Sequence, residues 1–118
     1  MARGRFLSVS VAEDDRLNNL SMVAELIYLK TIPHLDRDGM ISGRPGLLYS
    51  KVCPLREELF GHTQAIIDEW INAGLVIRFA TKEGPALFFP GFAKNNNLPH
   101  YERERPSRFP CPPGYSRD

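Results

Sequence analysis

The chain is poor in the residues that carry most site chemistry. It holds two cysteines, three histidines and one tryptophan in 118 residues. Cys53 and Cys111 lie far apart in different kinds of sequence, which predicts free thiols rather than a disulfide. His34, His62 and His100 share no metal-ligand spacing with them, so no zinc site is expected. A glycine-rich phosphate loop is missing as well. Serine, histidine and aspartate all occur, but nothing sets them as nucleophile, base and orienting acid. An enzyme is therefore not expected, and neither is a cofactor.

Long apolar runs are also missing. No stretch approaches the ~18 residues of a membrane span. The basic start Met-Ala-Arg-Gly-Arg-Phe lacks the apolar run that follows in a signal peptide. The expectation is a cytoplasmic protein without membrane contact.

Excess charge is lacking too: 15 Lys and Arg stand against 14 Asp and Glu. Through Phe92 the acids slightly outnumber the bases. From Ala93 onward Lys94, Arg103, Arg105, Arg108 and Arg117 outnumber Glu102, Glu104 and Asp118. This excludes a basic body that clamps duplex DNA by charge alone. Any nucleic-acid footprint has to be a local patch or the tail.

What remains is ordinary globular material, 42% apolar and 25% charged, in a length that suits one domain. Residues 5–11 alternate and are rich in β-branched side chains, which predicts a short strand or an extended arm. Ser21 is placed to cap a helix. Met22, Val23, Leu26, Ile27, Tyr28 and Leu29 give that helix a broad apolar stripe and predict that it is well buried. Pro33 limits its far end.

His34-Leu-Asp-Arg-Asp-Gly39 contains part of a calcium-loop pattern. With Asp36 as the third position, His34 falls first and Pro45 twelfth, where the loop needs acids. The stretch reads instead as a turn with Gly39 at positive φ. Met40-Ile-Ser42 is then a minimal strand.

Pro45 suits the first turn of a second helix, with Leu47, Leu48 and Val52 as its apolar side. Residues 55–62 are a connector. Thr63 is placed to cap a third helix, with Ile66, Ile67, Trp70 and Ile71 on one face. Gly74 fits the left-handed position after its last turn, and Leu75 the apolar contact that follows. Residues 75–79 and 86–89 are strands around a turn at 81–85. Half of the prolines lie beyond residue 98, so the last segment is no regular helix.

This order predicts an α+β fold, a winged helix-turn-helix: a three-helix core with a C-terminal β-hairpin wing. Residues 1–92 are assigned to that domain, with an N-terminal strand or arm. Residues 93–118 are assigned to an extended Pro-rich tail or linker, pinned by Tyr101, Phe109 or Tyr115.

The ordered motifs carry a resemblance. They are the Arg-rich start into residues 3–11, Ala24-Glu-Leu-Ile-Tyr-Leu29, Ile-Pro-His-Leu-Asp-Arg-Asp-Gly at 32–39 and Gly-Arg-Pro-x-x-Leu at 43–48. Val-Cys-Pro at 52–54 and Trp-Ile-x-x-Gly-Leu-Val at 70–76 follow, then Phe92-Ala-Lys-Asn-Asn and the late Pro-Ser-Arg-Phe-Pro-Cys-Pro-Pro run. The series resembles the N-terminal winged-helix domain of phage replisome organisers and DnaD-type primosome proteins. The resemblance implies DNA replication initiation, a helicase-loading or primosome protein as partner, and self-association. Family members usually continue into a second domain, and this chain ends after its proline-rich tail.

In a DNA-reading winged helix the third helix enters the major groove and the wing touches the backbone. Here the exposed face of that helix offers Gln64, Asp68, Glu69 and Asn72, and its acids would repel phosphate. Base reading is not expected, which also argues against a transcription regulator. Arg44, Lys51 and Arg56 around the second helix, with Arg78 and Lys82 on the wing, form a phosphate-binding surface if they converge. Otherwise they are solubilising charges beside Glu57, Glu58 and Glu83. DNA, single- or double-stranded and read with low specificity, is the expected partner. A winged helix that only assembles proteins is the alternative. Arg3 and Arg5 could add a basic arm, and Arg103, Arg105 and Arg108 another, with Tyr101 and Phe109 to stack on bases.

Trp70 shares its helix face with isoleucines and reads as core. Phe88 and Phe89 are adjacent, so in a strand they point to opposite faces. One of them needs a second packed surface: the N-terminal strand, the tail or another subunit. Self-association through Phe6, Val9, Phe79, Phe88 and Phe89 is the preferred expectation, making a homo-oligomer.

Overall fold

A computed structural model describes residue 7, residues 9–92 and residues 107–114. Among these residues the chain is α+β, with four α-helices and a three-stranded antiparallel sheet. The helices are α1 (Asp15–Asn18), α2 (Met22–Thr31), α3 (Pro45–Val52) and α4 (Thr63–Asn72). The strands are β1 (Met40–Ser42), β2 (Ile77–Thr81) and β3 (Gly84–Phe88), arranged β1-β3-β2. No helix among the described residues is long and apolar enough to cross a membrane.

The short strand or extended arm expected over 5–11 is corrected where it is described: Val9–Glu13 is a 3-10 helix. The Asn18 amide nitrogen donates to the carbonyls of Val11, Ala12 and Asp14 at 2.9–3.2 Å. One side chain thus gathers carbonyls that a strand would spread apart. Phe6, and the expected arm with Arg3 and Arg5, lie outside the described residues.

Ser21 caps α2 as expected, its hydroxyl accepting from the Ala24 amide at 3.2 Å. Pro33 falls in a 3-10 turn, Ile32–His34, that ends the helical run. Pro45 opens α3. Thr63 does not cap α4; it is the first helical residue and is buried, with His62 in the cap position. Beyond α4 the chain reverses at Gly74, φ 78°, with Leu75 N donating to Trp70 O and Gly74 N to Ile71 O, each at 3.0 Å. These bonds satisfy carbonyls that the helix end would leave bare. The strand starts two residues later than read, at Ile77, because Leu75 and Val76 turn into the core.

The core forms where α2 and α4 meet the inner face of the sheet. Trp70, fully buried, donates its indole N–H to Ala24 O at 2.9 Å. Tyr28 and Phe89 meet its ring edge-on at 5.8 and 6.0 Å. Burial, with help from the Asp14 charge, pushes the Tyr28 phenol up to about 12. Truncating a ring in such a cluster typically costs about 3–5 kcal/mol.

The sheet has a second covered face. Register places Met40 opposite Phe88, Phe79 opposite Ala86, and Ile77 opposite Phe88. Phe109 closes over Met40 and Ala86, with Phe79 and Phe88 half-buried beside it. Ser107 reaches Met40 Sδ at 3.7 Å and accepts from Phe109 N at 3.2 Å. Part of the segment read as a tail or linker therefore packs on the body. Phe109 pins it, whereas Tyr101 and Tyr115 lie outside the described residues. Both cysteines are free thiols, Cys53 buried and Cys111 half-buried.

Candidate nucleic-acid interface

Arg44 holds the position before α3 with extended backbone, φ −73° and ψ 120°, so its side chain leaves the helix axis. It crosses to the hairpin and donates from Nη2 to Glu83 O at 3.4 Å. The guanidinium lies over Gly84, where an added Cβ would stand 2.6 Å from Nη2. The turn itself, Lys82-Glu83, is tied by Thr81: its hydroxyl donates to Gly84 O at 2.7 Å and accepts from Glu83 N at 3.1 Å. Lys82 is exposed at the tip.

A further cation arrives from the C-terminal segment. Arg108 Nε lies 3.7 Å from the Glu83 carboxylate, and its guanidinium stands 4.9 Å from the Phe109 ring centre. Phe109 is buried against the sheet and so fixes where Arg108 sits. Arg44 on the Glu83 carbonyl, Arg108 beside its carboxylate and the neighbouring Lys82 thus share this one turn. The sequence suggested Arg108 in a basic arm with Arg103 and Arg105, not beside the hairpin turn. The available signal was the aromatic directly beside it, able to anchor the segment.

The other expected patch residues do not join this group through any described contact. Lys51 stands at the far end of α3, two turns from Arg44, and is exposed. Its charge acts on the exposed His34, whose pKa is lowered first by partial desolvation and then by Lys51. Arg56 is exposed after α3, and its carbonyl accepts from the Tyr49 hydroxyl at 3.2 Å. Arg78 is exposed on edge strand β2, opposite Leu87, on the sheet face that carries the helices. Among the described residues Lys51, Arg56, Arg78 and Lys82 make no ion pair.

The α4 surface is no better suited to bases than its sequence suggested. Gln64 donates to Asp68 Oδ1 at 2.9 Å, so these two polar ends satisfy each other. Glu69 does not belong to the open face: it is half-buried and bound to Ser21. Asp36, singled out in the calcium-like stretch, uses Oδ1 to accept from Asp38 N at 2.9 Å and Met40 N at 3.0 Å. That carboxylate builds the turn into β1.

The aromatic residues expected to self-associate are placed as follows. Phe89 is 1% exposed and belongs to the core with Trp70 and Tyr28, so it cannot form a surface. Phe79 and Phe88 face Phe109, and the chain's own C-terminal segment takes the place foreseen for a second subunit. Val9 lies in the 3-10 helix, and Phe6 is outside the described residues.

Comparison of the chain with protein-family models, with curated proteins and with solved structures returned no match.

Proposed function

We propose that this domain is a winged helix that binds the phosphate backbone of DNA, as a module of phage-type replication initiation. The element order α2-β1-α3-α4-β2-β3 supports the winged-helix reading: three helices, a strand between the first two, and a closing hairpin. In that reading β2–β3 is the wing and α4 the third helix. The setting in replication rests on the ordered motif series that resembles replisome organisers.

One observation carries the DNA reading: the hairpin turn brings Arg44 and Arg108 onto Glu83, next to the exposed Lys82. Guanidinium and ammonium groups on an exposed turn suit phosphate oxygens. The α4 face, with Asp68 and no base, does not suit base edges, so binding is sequence-tolerant.

Fluorescence anisotropy with labelled single-stranded and duplex DNA across a salt series tests this. The observed association constant should fall steeply with salt. Arg44→Ala, Lys82→Ala and Arg108→Ala should each flatten the log–log salt slope by about one. Absence of binding at low salt would overturn the reading, as would binding that the triple variant leaves unchanged.

An assembly role without DNA affinity is the second reading. The exposed apolar residues of α2 favour it, and they carry an inference of their own.

A further inference from the structure

Helix α2 is apolar on both sides. Its inner face buries Ala24, Ile27 and Thr31. Its outer face leaves Met22 85%, Val23 43% and Leu26 38% exposed, and Leu29 at its border is half-buried, packing in part on the core. The sequence predicted a well-buried helix from this same stripe, and the fold buries only half of it. A helix apolar all round normally has partners all round.

We infer that the outer face of α2 pairs with the same face of a second copy of this chain, in parallel. Two features argue for a second copy. The spacing of Met22, Leu26 and Leu29 is four then three, the alternation of a two-helix seam. In that seam Met22 and Leu29 take d positions and Leu26 the a position between them. Glu25 then falls at g and Lys30 at e, flanking the seam on opposite sides. In a parallel pair a g residue meets the e residue five positions further on in the other helix. Glu25 of each protomer therefore meets Lys30 of its partner, twice across the twofold axis. An antiparallel pair would set Glu25 beside Glu25 and Lys30 beside Lys30, so the charges select the parallel one. Neither residue makes an ion pair among the described residues. The seam is short, so the dimer is weak and forms at high protein concentration.

This surface is independent of the wing turn, and it stands whether or not the wing binds DNA. Sedimentation equilibrium over a wide concentration range tests it on the full chain. A monomer–dimer equilibrium is expected. Leu26→Asp should abolish it; circular dichroism checks that this variant folds. Glu25→Lys and Lys30→Glu should each weaken dimerisation by roughly tenfold, since each sets two like-charge contacts across the axis. The double variant E25K/K30E should recover the parent value to within about threefold, which only reciprocal pairing explains. A strict monomer at every concentration would overturn the inference. So would a dimer indifferent to Leu26→Asp, or one that the double variant fails to restore.

Discussion

The Glu69 carboxylate on α4 accepts both the backbone N–H and the hydroxyl of Ser21, at 3.1 and 2.9 Å. Ser21 is at the same time the cap of α2, its oxygen accepting from Ala24 N. An acid from α4 therefore completes the amino end of α2 and adds a favourable charge there. Hydrogen bonds to a charged group contribute roughly 1.5–3 kcal/mol, and partial exposure puts this one at the low end. Glu69→Ala should lower unfolding stability by about 1–2 kcal/mol, read as a shift in the urea midpoint at constant slope. DNA affinity should stay unchanged. A rise in affinity would show that Glu69 had been facing phosphate after all.

Gly84 and Arg44 give a second test. At φ 105° Gly84 adopts backbone that side chains resist, and the Arg44 guanidinium fills the space a Cβ needs. Gly84→Ala should cost at least about 1 kcal/mol and displace Arg44 from the turn. Thermal unfolding and the anisotropy assay should fall together. A stable variant with full DNA affinity would show that the Arg44 position is unimportant.

The backbone plan was legible because local signals coincided with it. Ser21, Pro45 and Gly74 mark helix ends whatever the rest of the chain does, and each stands where its chemistry placed it. Thr63 misled because a buried threonine and a capping threonine look alike in sequence. The adjacency of Phe88 and Phe89 foretold two packed faces, and both exist. Which segment covers the second face was not legible, since contact between residues 40 and 109 leaves no local pattern. The same limit hid Arg108. It also hid the role of Glu69, whose partner lies 48 residues away. Exposure of Met22 escaped because periodicity reports an apolar stripe and not how much of it the fold covers.

Phe109 provides a test of that long-range contact. Its ring closes the outer sheet face over Met40 and Ala86, and it fixes Arg108 beside Glu83. Phe109→Ala should cost about 2–4 kcal/mol, somewhat below a central core aromatic. It should also speed limited proteolysis beyond residue 92 and weaken DNA binding about as much as Arg108→Ala does. Unchanged proteolysis would mean that this segment is held by something other than Phe109.

His34 and Lys51 make the remaining prediction. Partial desolvation of the exposed His34 ring and the Lys51 charge both disfavour the imidazolium, so the folded pKa lies below the ordinary value of about 6.5. The unfolded chain then binds the proton more readily than the folded one. Stability from this group is therefore full above pH ~6.5, and it declines as pH falls through the unfolded value toward the folded one. Lys51→Ala removes the second cause and leaves the first. An NMR titration of the His34 ring should show its pKa rise partway toward the ordinary value, and the acid loss of stability should shrink with it. An unmoved titration would show that the Lys51 charge does not reach His34.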